Sequence, residues 1–204
     1  MRMGRIEFRY FMGFLDTQEK WINEMAANGW RLVKTSTLFY EFEPCEPGSY
    51  EYRVEFVGAL SYGKIRDYKD FLSGLGYKVL TKNLNLNMSF GKVRWRPFGR
   101  GSGQIVTSPG GYNKEILIIE KKADGESFDV HTSYDDLIAY YQSIRGMYIM
   151  LLSIVIAFWE SRFLASIGSI PYALLAIAMV LLLIPIVLYS RRISMYKRLR
   201  MTNE

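Results

Sequence analysis

The sequence predicts an α+β domain followed by a two-helix transmembrane hairpin. Alternating apolar and polar residues predict several strands in the first 122 residues, and two stretches with helical spacing lie between them. Residues 171–190 carry no charge and would span roughly 30 Å as a helix, which matches the hydrocarbon core of a bilayer. A second apolar run at residues 147–159 precedes this stretch, so we expect both runs to form the hairpin.

The N-terminal elements are a strand and a helix. Residues 5–11 alternate apolar and charged side chains, which predicts a strand with one buried face. Asp16 and Glu19 have the spacing of a capping box, and an apolar stripe follows before Gly29. We therefore expect a helix at residues 16–28 that ends at a glycine cap.

The next elements are predicted as a β-hairpin and a second helix. Residues 38–43 and 50–56 both alternate and are separated by a Pro/Gly turn, which predicts an antiparallel pair with its charged face in solvent. Residues 64–75 have helical spacing and end before Gly76. The predicted core residues are Ile6, Phe8, Tyr10, Trp21, Met25, Tyr52, Val54, Phe56, Phe71 and Leu72.

An internal repeat emerges when Gly29 is aligned with Gly76. In both copies an amphipathic helix is followed by glycine, an aromatic residue, a base and an apolar strand. With a strand before each helix, the order is β-α-β twice, which is the connectivity of a ferredoxin-like split βαβ sandwich. The matching window is short, so coincidence stays open as the alternative.

The remaining segments complete the predicted organisation. Strand-like residues 84–95 and 115–122 flank a glycine-rich connection, which predicts a long hairpin added to the sheet. A helix that starts near Thr132 should run into the first membrane helix. The predicted divisions are a cytoplasmic domain at 1–131, a connecting helix at 132–146, the transmembrane hairpin at 147–190 and a basic cytoplasmic tail at 191–204.

Charge distribution predicts where the chain lies. Residues 1–140 carry 19 Lys and Arg against 18 Asp and Glu, whereas residues 141–204 carry 7 against 2. An excess of bases beside membrane helices favours a cytoplasmic location for that end. We expect a multi-pass plasma-membrane protein with both termini in the cytoplasm and no nucleic-acid partner. The bases predicted to lie at the membrane interface are Arg191, Arg192, Lys197, Arg198 and Arg200.

The sequence offers few catalytic candidates. Cys45 and His131 are the only residues of their types, so a zinc site of Cys and His ligands is excluded by count. The acidic pair Glu41 and Glu43 is expected on an exposed strand face. A second acidic pair, Asp135 with Asp136, is expected at a helix N-terminus. We predict no catalytic residue, no cofactor and no metal.

One basic cluster is a candidate contact with lipid headgroups or an acidic partner. Bases beside a glycine-rich loop could hold a phosphate of a lipid or of RNA. The RNA interpretation is weakened because the aromatic motif of RNA-recognition modules is missing, and a solvated hairpin edge is the structural alternative. The cluster consists of Lys92, Arg94, Trp95, Arg96 and Arg100.

Three segments resemble the bacterial domain of unknown function 2812 family. They are Glu19–Trp30, the Tyr40–Glu43 segment and the Glu46–Arg53 segment; the likeness covers residues 5–57 and, more weakly, 128–141. The resemblance implies C-terminal membrane helices, genes beside PadR-type repressors, an envelope-stress setting and no enzyme activity. Residues 82–113 depart from the family pattern, so the basic cluster could be a subfamily trait.

Two functions stay open at this point. The first is a membrane-anchored cytoplasmic binding or regulatory module with lipid or an unidentified protein as partner. The second is an enzyme that acts on a membrane-associated substrate through unidentified carboxylates. A binding module should present an exposed strand edge or apolar patch, whereas an enzyme should present a deep pocket with convergent polar groups.

Overall fold

The structure is a computed structural model, and the chain forms two compact units, Met1–His131 and Thr132–Glu204. The described residues are 4–36, 38–57, 60–83, 116–126, 128, 134–160 and 170–203, together with the backbone of 88–90, 93–95 and 105–106.

The first half of the N-terminal unit is a β-α-β-β segment that forms a three-stranded sheet. Its elements are β1 (Arg5–Phe8), α1 (Leu15–Ala27), β2 (Trp30–Thr35) and β3 (Phe39–Pro44). The order in the sheet is β1-β3-β2, and β3 is antiparallel to both neighbours. Strands β1 and β2 are therefore parallel to each other, and α1 connects them across the intervening β3.

The second half repeats this topology. Its elements are β4 (Tyr50–Phe56), α2 (Tyr62–Gly74), β5 (Lys78–Lys82) and, after an insertion, β9 (Ile116–Lys122). The sheet order is β4-β9-β5, again with the last strand antiparallel in the middle. The insertion contains a separate antiparallel sheet of β6 (Met88–Phe90), β7 (Val93–Trp95) and β8 (Ile105–Val106).

The repeat in the sequence thus corresponds to a repeat in structure. Gly29 and Gly76 follow the two helices in the left-handed conformation, each with φ of +83°. Glycine adopts this conformation without the steric cost that a Cβ imposes. The predicted α+β class is confirmed, and each half is a split β-α-β unit. The described strands of the two halves form two three-stranded sheets and not the single sheet of a ferredoxin-like sandwich.

The predicted hairpin of residues 38–43 with 50–56 is wrong. Strand β3 pairs with β1 and β2, whereas β4 pairs with β9. The predicted solvent face of β4 is also wrong, because Glu55 is buried and its carboxylate accepts a hydrogen bond from the hydroxyl of Tyr68 on α2. Alternation indicates a strand, but it does not identify which strand lies beside it.

The predicted pairing of residues 84–95 with 115–122 as an added hairpin is also wrong. Strand β9 lies at the centre of the second sheet, and its residues from Ile116 to Lys121 are all buried. A strand covered on both faces has a continuous apolar run, and the segment Ile116–Ile119 has this composition.

Several predicted core positions are exposed. Ile6, Phe8, Tyr10 and Phe71 are 68%, 60%, 48% and 60% exposed, respectively. Ile6 and Phe8 share one face of β1, as the alternation predicted, but that face of the sheet is exposed. Tyr52, Val54, Met25 and Leu72 are buried as predicted, and Trp21 and Phe56 are half-buried.

The capping box at Asp16 and Glu19 is not formed. Helix α1 begins at Leu15, its N-cap is Phe14 and no side chain caps it. Glu19 instead contacts β4, where its carboxylate accepts hydrogen bonds from Arg53 Nη1 and from the backbone N–H of Val54, both at 2.9 Å. A tertiary ion pair has replaced the local cap.

The C-terminal unit is a hairpin of two long helices, α3 (Tyr134–Trp159) and α4 (Ile170–Asn203). Both are long and apolar enough to cross a membrane. The predicted continuation of the connecting helix into the first apolar run is confirmed, because α3 has no break at Gly146. The helices are antiparallel, as the ring contacts Tyr148–Tyr189 and Trp159–Tyr172 lie toward opposite ends of α4.

Candidate functional site

A buried polar network joins the two halves of the N-terminal unit. Glu120 of β9 is 4% exposed, and its carboxylate accepts hydrogen bonds from Arg31 Nη2 and from the Tyr52 hydroxyl, both at 2.8 Å. The Tyr52 hydroxyl in turn accepts the backbone N–H of Leu32 at 2.9 Å. Every side chain in this network has a partner, which is the condition for burying charge at acceptable cost.

The electrostatics of this network favour a fixed charge state. The hydrogen bond to Glu120 raises the pKa of Arg31 above its already high range. Burial, with the neighbouring carboxylate of Glu120, raises the pKa of Tyr52. The Arg31 guanidinium also lies 4.5 Å from the ring centroid of Tyr50 and 3.2 Å from Glu43. Neither the arginine nor the tyrosine would change protonation near neutral pH, so this network is a structural element.

Helix α1 protects the free edge of β4. The Asn23 side chain donates from Nδ2 to the Tyr52 carbonyl at 2.9 Å and accepts the Tyr52 N–H at 2.8 Å. These two bonds reproduce the pattern of a neighbouring strand. Unpaired strand edges attract other chains, so this edge is closed to a partner.

The first sheet has one face that remains open. Ile6 and Phe8 of β1 and Phe39 of β3 lie on this face and are 68%, 60% and 48% exposed. The rings of Phe8 and Phe39 pack edge-to-face with centroids 5.5 Å apart. We call these three residues the open face. Beside them, Lys34 and Glu41 form an ion pair at 3.5 Å.

Strand β1 also lies at the outside of its sheet, because it pairs only with β3 among the strands that the structure describes. Its edge is therefore adjacent to the open face. Exposed aromatic residues beside a strand edge are features of surfaces that bind other polypeptides.

The predicted basic cluster lies largely outside the described residues. Only the backbone of Arg94 and Trp95 is described, as part of β7. Lys92, Arg96 and Arg100 are not described, so the predicted headgroup contact stays a prediction.

The predicted interface bases follow one another along the C-terminal part of α4. Arg191 and Arg198 line a groove of about 720 Å³ together with Ser190, Ser194 and apolar residues of the same helix. Arg200 forms an ion pair with Asp135 of α3 at 2.5 Å. These contacts place cations next to the apolar part of α4.

Of the two single-copy reactive residues, Cys45 and His131, the structure describes Cys45 alone. Cys45 is a half-buried free thiol after β3, and His131 lies outside the described residues. In the parts of the chain that are described, no group of three or more His, Cys, Asp or Glu side chains could hold a metal ion. Two buried glutamates, Glu55 and Glu120, are both engaged by tyrosine hydroxyls.

A comparison with protein families matches residues 14–153 to the family described as "Protein of unknown function (DUF2812)". The matched segment begins just before α1, so it covers both repeated halves except β1, together with most of α3. The chain belongs to this family. No curated protein and no solved structure matches the chain.

Sequence reasoning did not identify the network around Glu120. A signal was present, because the repeat aligns Arg31 with Lys78, a base after an aromatic residue in each copy. In the structure both bases lie near Glu120: Arg31 binds it, and Lys78 is its register partner on β5. Two bases at the starts of apolar strands indicate that a buried acidic side chain pairs with them. Glu120 is the one acidic residue within β9.

Proposed function

We propose that this DUF2812 protein is a membrane-anchored cytoplasmic binding module that recognises a partner protein through the open face. The anchor is the helical hairpin, crossing the plasma membrane twice with both termini in the cytoplasm. The apolar length of α3 and α4 supports the anchor. The bases from Arg191 to Arg200 support the orientation, because cytoplasmic ends of membrane helices are rich in Lys and Arg.

The exposure of Ile6, Phe8 and Phe39 is the observation that carries the proposal. Leaving three large apolar side chains in water forgoes the stabilisation that burial would bring, at about 25 cal/mol per Å². A binding surface recovers this free energy when the partner covers it. The adjacent edge of β1 could add backbone hydrogen bonds from a strand of the same partner.

Site-specific photo-crosslinking in native membranes tests this proposal. A photoreactive residue would replace Phe8 or Phe39 in the full chain, and the matched control would replace Lys20, whose side chain is 79% exposed on α1. We expect both open-face positions to give the same adduct of defined mass and the Lys20 position to give none. Equal adducts at all three positions, or no protein adduct at the open face, would reject the proposal.

The regulatory setting is a further part of the proposal. The family resemblance implies a gene beside a PadR-type repressor and a role in envelope stress. Identification of the crosslinked partner tests this setting directly, because an envelope-stress role requires a partner whose abundance or activity changes under that stress.

A further inference from the structure

A groove on the C-terminal part of α4 carries two of the predicted interface bases. It has a volume of about 720 Å³. The polar residues that line it are Ser190, Arg191, Ser194 and Arg198. Because residues three and four positions apart are neighbours on a helix surface, Arg191, Ser194 and Arg198 form one row along α4. The other predicted interface bases are not part of the groove wall as far as the structure describes it.

This row faces away from α3. Tyr189 of α4 is fully buried, and its ring contacts Tyr141 of α3. Successive residues advance about 100° around a helix, so Arg191 and Arg198 lie on the side of α4 opposite Tyr189. Both arginines are exposed, and so is Ser194 between them. In a chain anchored by α3 and α4, the row therefore lies on the side of α4 that faces lipid and not on the seam between the helices.

The row also lies at the depth of the lipid headgroups. Residues 171–190 account for the hydrocarbon core, and a polar layer of about 5–7 Å follows on each side of a bilayer. At about 1.5 Å of rise per residue, Ser194 lies about 6 Å beyond Ser190, within this layer. Arg191 lies at the inner boundary of the layer, and Arg198 leans back toward Ser194, because side chains on a helix tilt toward its N-terminus. The phosphate groups of the lipids occupy the same layer.

The two arginines of the row have no acidic partner among the residues that the structure describes. Helix α4 itself contains no acidic residue. Arg200, on the side of α4 that faces α3, is instead paired with Asp135. In the N-terminal unit, Arg31 and Arg53 are each paired with a glutamate. A guanidinium beside apolar surface attracts an anion more strongly than one in open water, because the lower polarity weakens the screening.

A further cation lies beside the groove. Nη1 of Arg145 on α3 donates to Oγ of Ser190 at 3.3 Å, and Ser190 lines the groove. The Nε atom of Arg145 is buried and has no hydrogen-bond partner in the part of the chain that is described. Buried donors without a partner are rare in folded proteins, and each one needs an explanation. Arg145 thus adds positive charge and an unused donor next to the row.

We propose that this groove binds the phosphate of an anionic phospholipid, with its oxygens held by Arg191, Ser194 and Arg198. The guanidinium fork matches the geometry of a phosphate and can donate two hydrogen bonds to it at once. The acyl chains lie along the apolar surface of α4 on the membrane side, where Ile184 and Val187 are exposed. The site rests on the membrane anchor that the proposed function assigns to α3 and α4, and it is independent of the open face.

Native mass spectrometry of the full chain in neutral detergent micelles tests the site by counting bound lipids. The probes are phosphatidylglycerol, which has a net negative charge, and phosphatidylcholine with the same acyl chains, whose net charge is zero. We expect one saturable site for phosphatidylglycerol with an affinity roughly tenfold or more above that for phosphatidylcholine, because two bases act on a phosphate whose charge is not offset. Sodium phosphate is the arm for free phosphate. It should not displace the lipid at millimolar concentration, because it makes no contact with the apolar surface.

The variants decide whether the lipid binds in this groove. Arg198→Gln should weaken phosphatidylglycerol binding roughly tenfold, because a charge-assisted hydrogen bond to the phosphate is lost. Lys197→Gln is the matched control, since it removes the same charge from the adjacent exposed position outside the described groove wall, and it should change the affinity less than about twofold. Ser194→Ala removes a neutral donor and should have a smaller effect than Arg198→Gln. All three positions are exposed, so the Tm without lipid should stay that of the wild type.

The same titrations can overturn the proposal. Equal binding of the two lipids, or equal losses in Lys197→Gln and Arg198→Gln, would mean that the bases attract anionic lipid without a defined site. Displacement of phosphatidylglycerol by millimolar sodium phosphate would reject a lipid as the source of the phosphate. An alkaline carbonate wash of native membranes separates failure of the anchor from failure of the site. Release of the full chain would reject both, whereas retention without lipid preference would reject the site alone.

Discussion

The two halves of the N-terminal unit have the same topology but differ in how their sheets are covered. In the first half, the side chains of Ile6 and Phe8 on β1 are exposed to solvent. In the second half, the middle strand β9 is buried from Ile116 to Lys121. One face of β9 packs in a cluster with Ile65 and Leu72 of α2, and Glu120 on the other face meets Arg31 of the first sheet.

This difference shows how a repeated supersecondary unit can take two roles. The second copy has apolar residues at consecutive positions of its central strand and therefore needs cover on both sides. The first copy alternates and needs cover on one side only, which α1 supplies through the contacts of Trp21 with Tyr40 and Phe42. The uncovered side of the first copy is then available for binding.

The largest expected difference in the free energy of unfolding is between alanine variants of one apolar residue from each half. Ile118→Ala should lower the free energy of unfolding by about 2–5 kcal/mol, because Ile118 is fully buried and the substitution leaves a cavity. Phe8→Ala should change it by less than about 0.5 kcal/mol, since Phe8 is 60% exposed. Denaturant unfolding of the two variants measures both. Equal losses would mean that the open face is part of the core.

The next effect concerns the network between the halves. Glu120→Ala removes the partner of Arg31 and of the Tyr52 hydroxyl and should cost roughly 2–4 kcal/mol, reduced by the partial exposure of Arg31. Glu43→Ala is the control, because Glu43 also binds Arg31 but is 47% exposed, and less than about 1 kcal/mol is expected. If unfolding of the two variants had the same midpoint, the buried bridge would not join the halves energetically.

A smaller effect concerns the contact of α1 with the edge of β4. Asn23→Ala removes both hydrogen bonds to the Tyr52 backbone and should cost about 1–3 kcal/mol. Asn28→Ala, at the exposed end of the same helix, removes only a bond to the Glu24 carbonyl and should cost about 0.5–1 kcal/mol. Hydrogen exchange of the Tyr52 amide should accelerate only in the Asn23 variant. Unchanged protection there would contradict the proposed edge cover.

The smallest expected difference is between the Tm values of alanine variants at the two glycine caps. Both Gly29 and Gly76 have φ of +83°, so alanine at either position is strained by about 1–2 kcal/mol. At Gly29 the added Cβ would also lie 3.0 Å from the Cys45 carbonyl oxygen, whereas at Gly76 it meets nothing within 4 Å. Gly29→Ala should therefore have the lower Tm of the two. The reverse order would mean that the first cap is less tightly packed than the second.

The sequence by itself determined the local elements. Helical spacing before Gly29 and Gly76 predicted both helices, and alternation predicted β1, β3 and β4, because these periods depend only on which side chains share a face. The apolar lengths of residues 147–159 and 171–190 likewise predicted the helical hairpin. The alignment of the two repeats also pairs Arg31 with Lys78, the two bases that lie beside Glu120 in the structure.

Only the tertiary structure decided strand pairing and cover. Strand β9 enters between β4 and β5 after an insertion, and no local pattern encodes such a partner, since pairing is set by which apolar faces can be buried together. For the same reason Ile6 and Tyr52, both at apolar positions of alternating strands, end at 68% and 0% exposure. The candidate site follows from these long-range choices: the open face exists because nothing in the described fold covers it.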